Sequence, residues 1–116
     1  MEAKKALSIL HICGNTSLLL EEMAGTGVNG INIDAMVDID FAKEKVGNKV
    51  CIMGNVSPVE VMLNGSPEEV KRDSEDCIKK GGKMGFILSS GCEIPKKTPP
   101  ENIEMMVKVA REHVMD

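Results

Sequence analysis

The sequence predicts an α/β fold built from four consecutive βα units. Three observations predict it. Short apolar runs of strand length alternate four times with stretches of helical periodicity. Helix-starting Ser/Thr-Pro boxes and helix-stopping glycines punctuate the runs where this alternation needs them. The polar residues of chemical interest, His11, Cys13, Asp34, Asn55 and Cys92, all fall where a strand gives way to its loop. Strands alternating with helices imply parallel pairing through right-handed crossovers. The pattern allows two architectures, a small open sheet or half of a (βα)8 barrel.

The first strand is expected over Ala6 to Cys13, ending at Gly14-Asn15. Asn15 or Thr16 can cap a helix running through Met23, with Gly25 closing it in the left-handed conformation. Val28 to Asp34 reads as the second strand. Asp38 or Asp40 opens a helix to Val46, which stops at Gly47. Lys49 to Met53 is the third strand, with Gly54-Asn55 just past it. Ser57-Pro58-Val59-Glu60 has capping-box spacing and Pro at the first helical position, so a short helix to about Leu63 follows. After Gly65, Ser66-Pro67-Glu68-Glu69 repeats the box and starts a long helix to Lys80, ended by Gly81-Gly82. Gly85 to Ser89 is the fourth strand. Thr98-Pro99-Pro100-Glu101 is a third box. Behind it, Ile103, Met106, Val107, Ala110 and Val114 share the face expected to pack on the sheet.

Composition narrows the function. The chain has 116 residues, enough for one domain over 1–116, and 42% of them are apolar, enough for a core. A net charge of −4 without a basic block excludes a nucleic-acid footprint. With Phe41 and Phe86 as the sole aromatics, a base-stacking platform is excluded too. No apolar run reaches the roughly 18 residues of a membrane span. Met1 to Ala6 lacks the layout of a signal peptide, so a cytoplasmic chain with reduced thiols is expected. Cys51, in an apolar strand, and Cys77, on a helix, read as small core residues. The Met residues read as gap fillers, the charged run from Glu68 to Lys80 as the wet face of a helix, Glu93 as a solvated loop charge and His113 as a helix-end cation.

His11, Cys13 and Cys92 are different. Alternate residues of a strand point to one side, so His11 and Cys13 present a nitrogen and a sulfur together. A distant Cys in Ser90-Gly91-Cys92-Glu93-Ile94-Pro95 can complete an N/S/S set for zinc. Three protein ligands leave zinc a fourth position for water or substrate. In parallel sheets, and in barrels above all, chemistry gathers at the C-terminal strand ends, where each of these residues falls. Asp34 is expected as a fourth, displaceable ligand or as a partner of His11. Asn55 is a substrate contact or a turn-stabilising Asn.

Leu10-His11-Ile12-Cys13-Gly14-Asn15, Met53-Gly54-Asn55-Val56-Ser57-Pro58 and the run from Phe86 to Pro100 resemble the uroporphyrinogen decarboxylase superfamily. More narrowly they resemble its corrinoid-linked branch, the methylcobalamin:coenzyme M methyltransferases. The resemblance covers nearly the whole chain but only the C-terminal half of the family's (βα)8 barrel. It implies zinc bound by His11, Cys13 and Cys92. It also implies that a small thiol such as coenzyme M, held as a thiolate, takes a methyl group from methylcobalamin or a corrinoid protein. The decarboxylases of the superfamily lack the His-x-Cys pair and carry His where this chain has Cys92. Asp34 resembles the carboxylate on the next strand of cobalamin-independent methionine synthases, whose barrels also hold zinc.

Two other functions stay open at this level: a uroporphyrinogen decarboxylase-type lyase of porphyrin biosynthesis, and a metal- or corrinoid-partner-binding module without turnover. Four βα units leave two raw sheet edges, which invite pairing. A homodimer, or the missing N-terminal half, is therefore expected to close the barrel, and activity is expected to need that closure.

Overall fold

Four strands pair in parallel in the order in which the chain makes them, β1-β2-β3-β4. They are β1 (Ile9–His11), β2 (Gly30–Asn32), β3 (Cys51–Val56) and β4 (Phe86–Ser90). The computed structural model describes residues 7–82 and 84–114, so Ala6, the expected start of the first strand, lies outside the described residues. Consecutive order decides between the two architectures, because a doubly wound open sheet reverses its order partway whereas a barrel does not. The sheet is an arc of a (βα)8 barrel.

The helices cover one face of this arc. Between β1 and β2 lie a 3₁₀ turn, Ser17–Leu19, and α1 (Leu20–Ala24). The Asn15 side chain accepts the Ser17 N–H at 3.1 Å, so Asn15 shapes the turn, while Thr16 makes no side-chain cap. Gly25 keeps a right-handed φ of −69° and donates to Glu21 O. The left-handed glycine is Gly27, at φ +90°. The helix stops at Gly25 as expected, but the left-handed conformation comes two residues later, after a turn in which Thr26 Oγ1 bonds back to Met23 O.

Between β2 and β3, α2 (Ile39–Val46) is capped by Asp38, whose carboxylate accepts the Asp40 N–H. β3 outruns its expected end at Met53. Gly54 and Asn55 lie inside the strand, opposite Leu88 and Ser89 of β4. The ladder continues because residue 54 is glycine: its φ is +148°, and a Cβ would stand 3.0 Å from the Ile33 carbonyl oxygen.

After β3 the chain makes a wide helical turn, Pro58–Leu63, in which the Met62 N–H reaches Ser57 O, five residues back. Then α3 (Pro67–Gly81) starts with the expected capping box: Ser66 accepts the Glu69 N–H, and the Glu69 side chain accepts the Ser66 N–H. Finally α4 spans Pro100–Val114. The third box does not form. Pro99 precedes the helix, and the Thr98 hydroxyl is buried with no hydrogen-bond partner among the described residues. Among the described side chains of α4, Asn102 and Val109 are buried and Met105 and Met106 partly buried, while Ile103 and Val107 are exposed. This helix packs chiefly on α3, not on the sheet. Asn102 fastens it by donating to Met62 O and Gly65 O at 2.8 and 2.9 Å.

The core lies between sheet and helices. Ile31, Ile33, Ile52 and Val56 point into it from the strands, and Val37, Ala42, Val46, Met62, Val70 and Cys77 meet them. Each such aliphatic side chain stabilises the fold by about 1.5–3 kcal/mol through burial. On the other face Ile9 and Ile87 remain 55% and 49% exposed. Cys51 lies on this side, half-buried rather than in the core, because alternation along β3 gives Ile52 the covered face. Among the described residues no helix is long and apolar enough to cross a membrane.

Candidate metal centre

His11 is the last residue of β1, and Cys13 follows in the loop. The strand register places His11 opposite Asn32. The imidazole Nδ1–H therefore reaches the Asn32 carbonyl, at 2.9 Å. That bond orients the ring and, in the neutral imidazole, keeps the proton on Nδ1 and the lone pair on Nε2. Nε2 stands 3.3 Å from Cys13 Sγ, and Cys13 Sγ stands 3.3 Å from Cys92 Sγ. The His11 nitrogen and the two sulfurs lie within 4.8 Å of one another.

This convergence needs a curled sheet. Strands sit about 4.8 Å apart, so in a flat sheet β1 and β4 would be separated by roughly 14 Å. Their loops instead meet over the concave face. Gly91 lets β4 do this: the residue lies so close to the 34–35 backbone that an added Cβ would overlap Ala35 N and come 3.0 Å from Asp34 C. The Gly91 N–H bonds to Val56 O at 2.8 Å, and the Ser90 hydroxyl bonds to the Cys92 carbonyl.

The electrostatics suit a cation. Cys92 has its thiol pKa lowered by the Cys13 S–H, the Glu93 backbone and His11. Cys13 is raised, first by its hydrogen bond to Cys92. The hydrogen bond between the two sulfurs thus favours ionisation of Cys92 over that of Cys13. For His11, burial works to lower the pKa, but the Asn32 carbonyl, Cys92 and Asp34 outweigh it and the net shift is upward. A donor set of one imidazole nitrogen and two sulfurs, with the imidazole oriented by a carbonyl, fits zinc.

The other candidates are placed differently. Asp34 stands outside the convergent trio. Its Oδ2 accepts the Gly14 N–H and its Oδ1 the Met36 N–H, both at 3.0 Å. The partner of His11 is the Asn32 carbonyl rather than Asp34, because the register puts Asn32 beside it. The Asn55 amide donates to the Asp34 and Val37 carbonyls, and its Oδ1 accepts the Cys77 thiol at 3.6 Å. Sequence reasoning missed Asn32. The signal was there: in Gly30-Ile31-Asn32-Ile33-Asp34 the polar residues alternate with buried isoleucines and mark the face opposite the core.

Comparison with known proteins gives the chain a family. The family model described as uroporphyrinogen decarboxylase (URO-D) matches residues 1–113. The chain belongs to the uroporphyrinogen decarboxylase family. Its similar relatives include a methylcobamide:CoM methyltransferase, MtbA, of Methanosarcina acetivorans. That relative is 43% identical over 106 residues, which are 91% of this chain and 30% of the relative. They also include a uroporphyrinogen decarboxylase of Trichodesmium erythraeum, 41% identical over 104 residues, 90% of this chain and 28% of that protein. A solved methyltransferase from Methanosarcina mazei superposes with a TM-score of 0.85 at 29% identity, covering 93% of this chain and 32% of that one. The chain thus spans about 30% of the length of the curated relatives it matches.

Proposed function

We propose that this URO-D family chain is the metal-binding, C-terminal part of a thiol methyltransferase that takes its methyl group from methylcobalamin or a corrinoid protein. The observation that carries the reading is the convergence of His11 Nε2, Cys13 Sγ and Cys92 Sγ at the C-terminal ends of two edge strands. His11, Cys13 and Cys92 would hold zinc, which would supply Lewis acidity to deprotonate a thiol such as that of coenzyme M. The chain's own residues prepare the site. The Asn32 carbonyl accepts the His11 Nδ1–H and so turns Nε2 toward the sulfurs. Cys92 brings the sulfur whose pKa its neighbours lower, and the loop after β1 brings Cys13 against it. The exposed apolar row of Ile9 and Ile87 gives the concave face a lining that the rest of a barrel, or a second copy, covers. The reaction is assigned to that closed assembly.

The decarboxylase reading keeps support of its own, in the description of the family model and in relatives such as that of Trichodesmium at 41% identity. Decarboxylation gives the N/S/S trio no task, so the methyltransferase is favoured.

Elemental analysis of purified protein tests the site. One zinc per chain, absent in Cys92→Ser, is expected. Zinc-free protein after supplementation would sink the metal reading. The reaction class is then read on the closed barrel by the cobalt–carbon absorption of methylcobalamin with coenzyme M added. Porphyrinogen consumption without methyl transfer would reverse the assignment.

A further inference from the structure

The loops that bring the two sulfurs together are fastened to one segment, residues 34–37, between β2 and α2. On one side, Asp34 Oδ2 accepts the N–H of Gly14, the residue directly after Cys13. Asp34 Oδ1 turns back to the Met36 N–H and fixes the carboxylate's own loop. On the other side, Gly91, directly before Cys92, rests on the Asp34 and Ala35 backbone. From below, Asn55 holds the segment by the carbonyls of Asp34 and Val37, and the buried Cys77 thiol holds Asn55.

We propose that Asp34 is a positioning residue. Its carboxylate is a two-sided clasp that sets Cys13 Sγ against Cys92 Sγ by holding the Gly14 amide, so the donor set exists before any ligand arrives. Position 34 requires two acceptor oxygens at once, one for each N–H. Asn offers one acceptor oxygen and turns an NH₂ donor toward the second N–H, so it keeps half of the clasp. Ala keeps none. The metal consequence of the clasp rests on the proposed zinc site; the placement of the sulfurs does not, and the test separates the two.

Metal-free protein, stripped with a chelator, is equilibrated in a glutathione redox buffer, where oxidised glutathione takes the two thiol hydrogens and leaves as two reduced molecules. Peptide mapping then reports the effective concentration of Cys13 toward Cys92. Asp34→Ala is expected to lower it about 10-fold, with Asp34→Asn between Ala and the parent. The outer partners of metal ligands typically change affinity by about 10–100-fold. Cobalt(II) binding to Asp34→Ala is therefore expected to weaken by that order, with loss of part of the thiolate-to-cobalt absorption. An effective concentration unchanged in Asp34→Asn overturns the clasp, and this variant decides the matter should Asp34→Ala fail to fold. Equal values for Asn and Ala overturn the two-acceptor argument. A graded disulfide series in a parent protein that binds no cobalt keeps the clasp and removes the zinc reading.

Discussion

The two faces of one sheet differ more than any two regions of this molecule. On the helix side, Ile31, Ile33, Ile52 and Val56 are fully buried and the aliphatic packing is complete. On the concave side, Ile9 and Ile87 stay about half exposed, Cys51 and Met53 are only half-buried, and the row ends in the donor trio. The same strands, alternating residue by residue, thus carry a finished core on one face and an unfinished lining on the other. The difference teaches where the stability and the chemistry reside. The helix side holds the arc together; the concave side is built to receive something.

The largest expected effect tests that division. Ile52→Ala removes a fully buried side chain and is expected to cost about 2–5 kcal/mol in denaturant unfolding. Ile87→Ala, on the concave side, is expected to cost about 0.5 kcal/mol or less in the chain alone, because water already reaches the side chain. In a closed barrel the second cost should rise toward the first. Equal costs in the isolated chain would break the comparison.

How much of this was legible in the sequence follows from which interactions are local. Caps and turns are local. Asp38 and Ser66 were readable as caps, and the short helical turn after Ser57-Pro58 was placed correctly because these side chains act within a few residues of themselves. The N/S/S trio was legible because three soft donors at strand ends have a narrow chemistry. What was not legible was set across strands. β3 runs on through Gly54 and Asn55 because β4 pairs with it to Val56. Asp34 and Asn55 carry chemically suggestive side chains, but their partners are backbone groups of other loops, which no residue pattern encodes. α4 also defied its pattern. Ile103 and Val107 have the spacing of a buried stripe, yet the helix lies on α3 and buries Asn102 and Val109 instead.

A middle-sized effect separates the two long helices that form the cover. Ser66 accepts the Glu69 N–H and Glu69 answers it, so Ser66→Ala is expected to cost about 1 kcal/mol. Thr98 has the same motif spacing but a buried hydroxyl with no partner among the described residues. Thr98→Val keeps the shape and removes an unpaired polar atom, whose burial costs about 1–3 kcal/mol. Thermal unfolding of the two variants should therefore move in opposite directions. A loss of stability in both would mean that Thr98 caps α4 after all.

The smallest expected effect lies at the seam between α2 and α3. A cavity of about 590 Å³ there is lined by Asp38, Asp73, Asp76 and Lys80 among others. Burial, then the neighbouring Asp76 and Glu69, raises the Asp73 pKa, against the pull of Arg72 and Lys80. Lys80 answers Asp76 at 3.2 Å and Asp38 at 3.9 Å, leaving Asp73 the poorest-served carboxylate of the group. A raised folded pKa means that the native state holds the proton more tightly than the unfolded chain. Stability from this group is then fully present below the unfolded value, about 3.9, and is lost as pH rises through the folded value. Asp73→Asn cannot ionise, so it should be more stable than the parent at pH 7 and equal to it at low pH. The gain should be about a few tenths of a kcal/mol, because most of the carboxylate faces water and is screened. A gain that persists below pH 3 would point to packing, and a loss at pH 7 would mean that Arg72 and Lys80 outweigh the two acids.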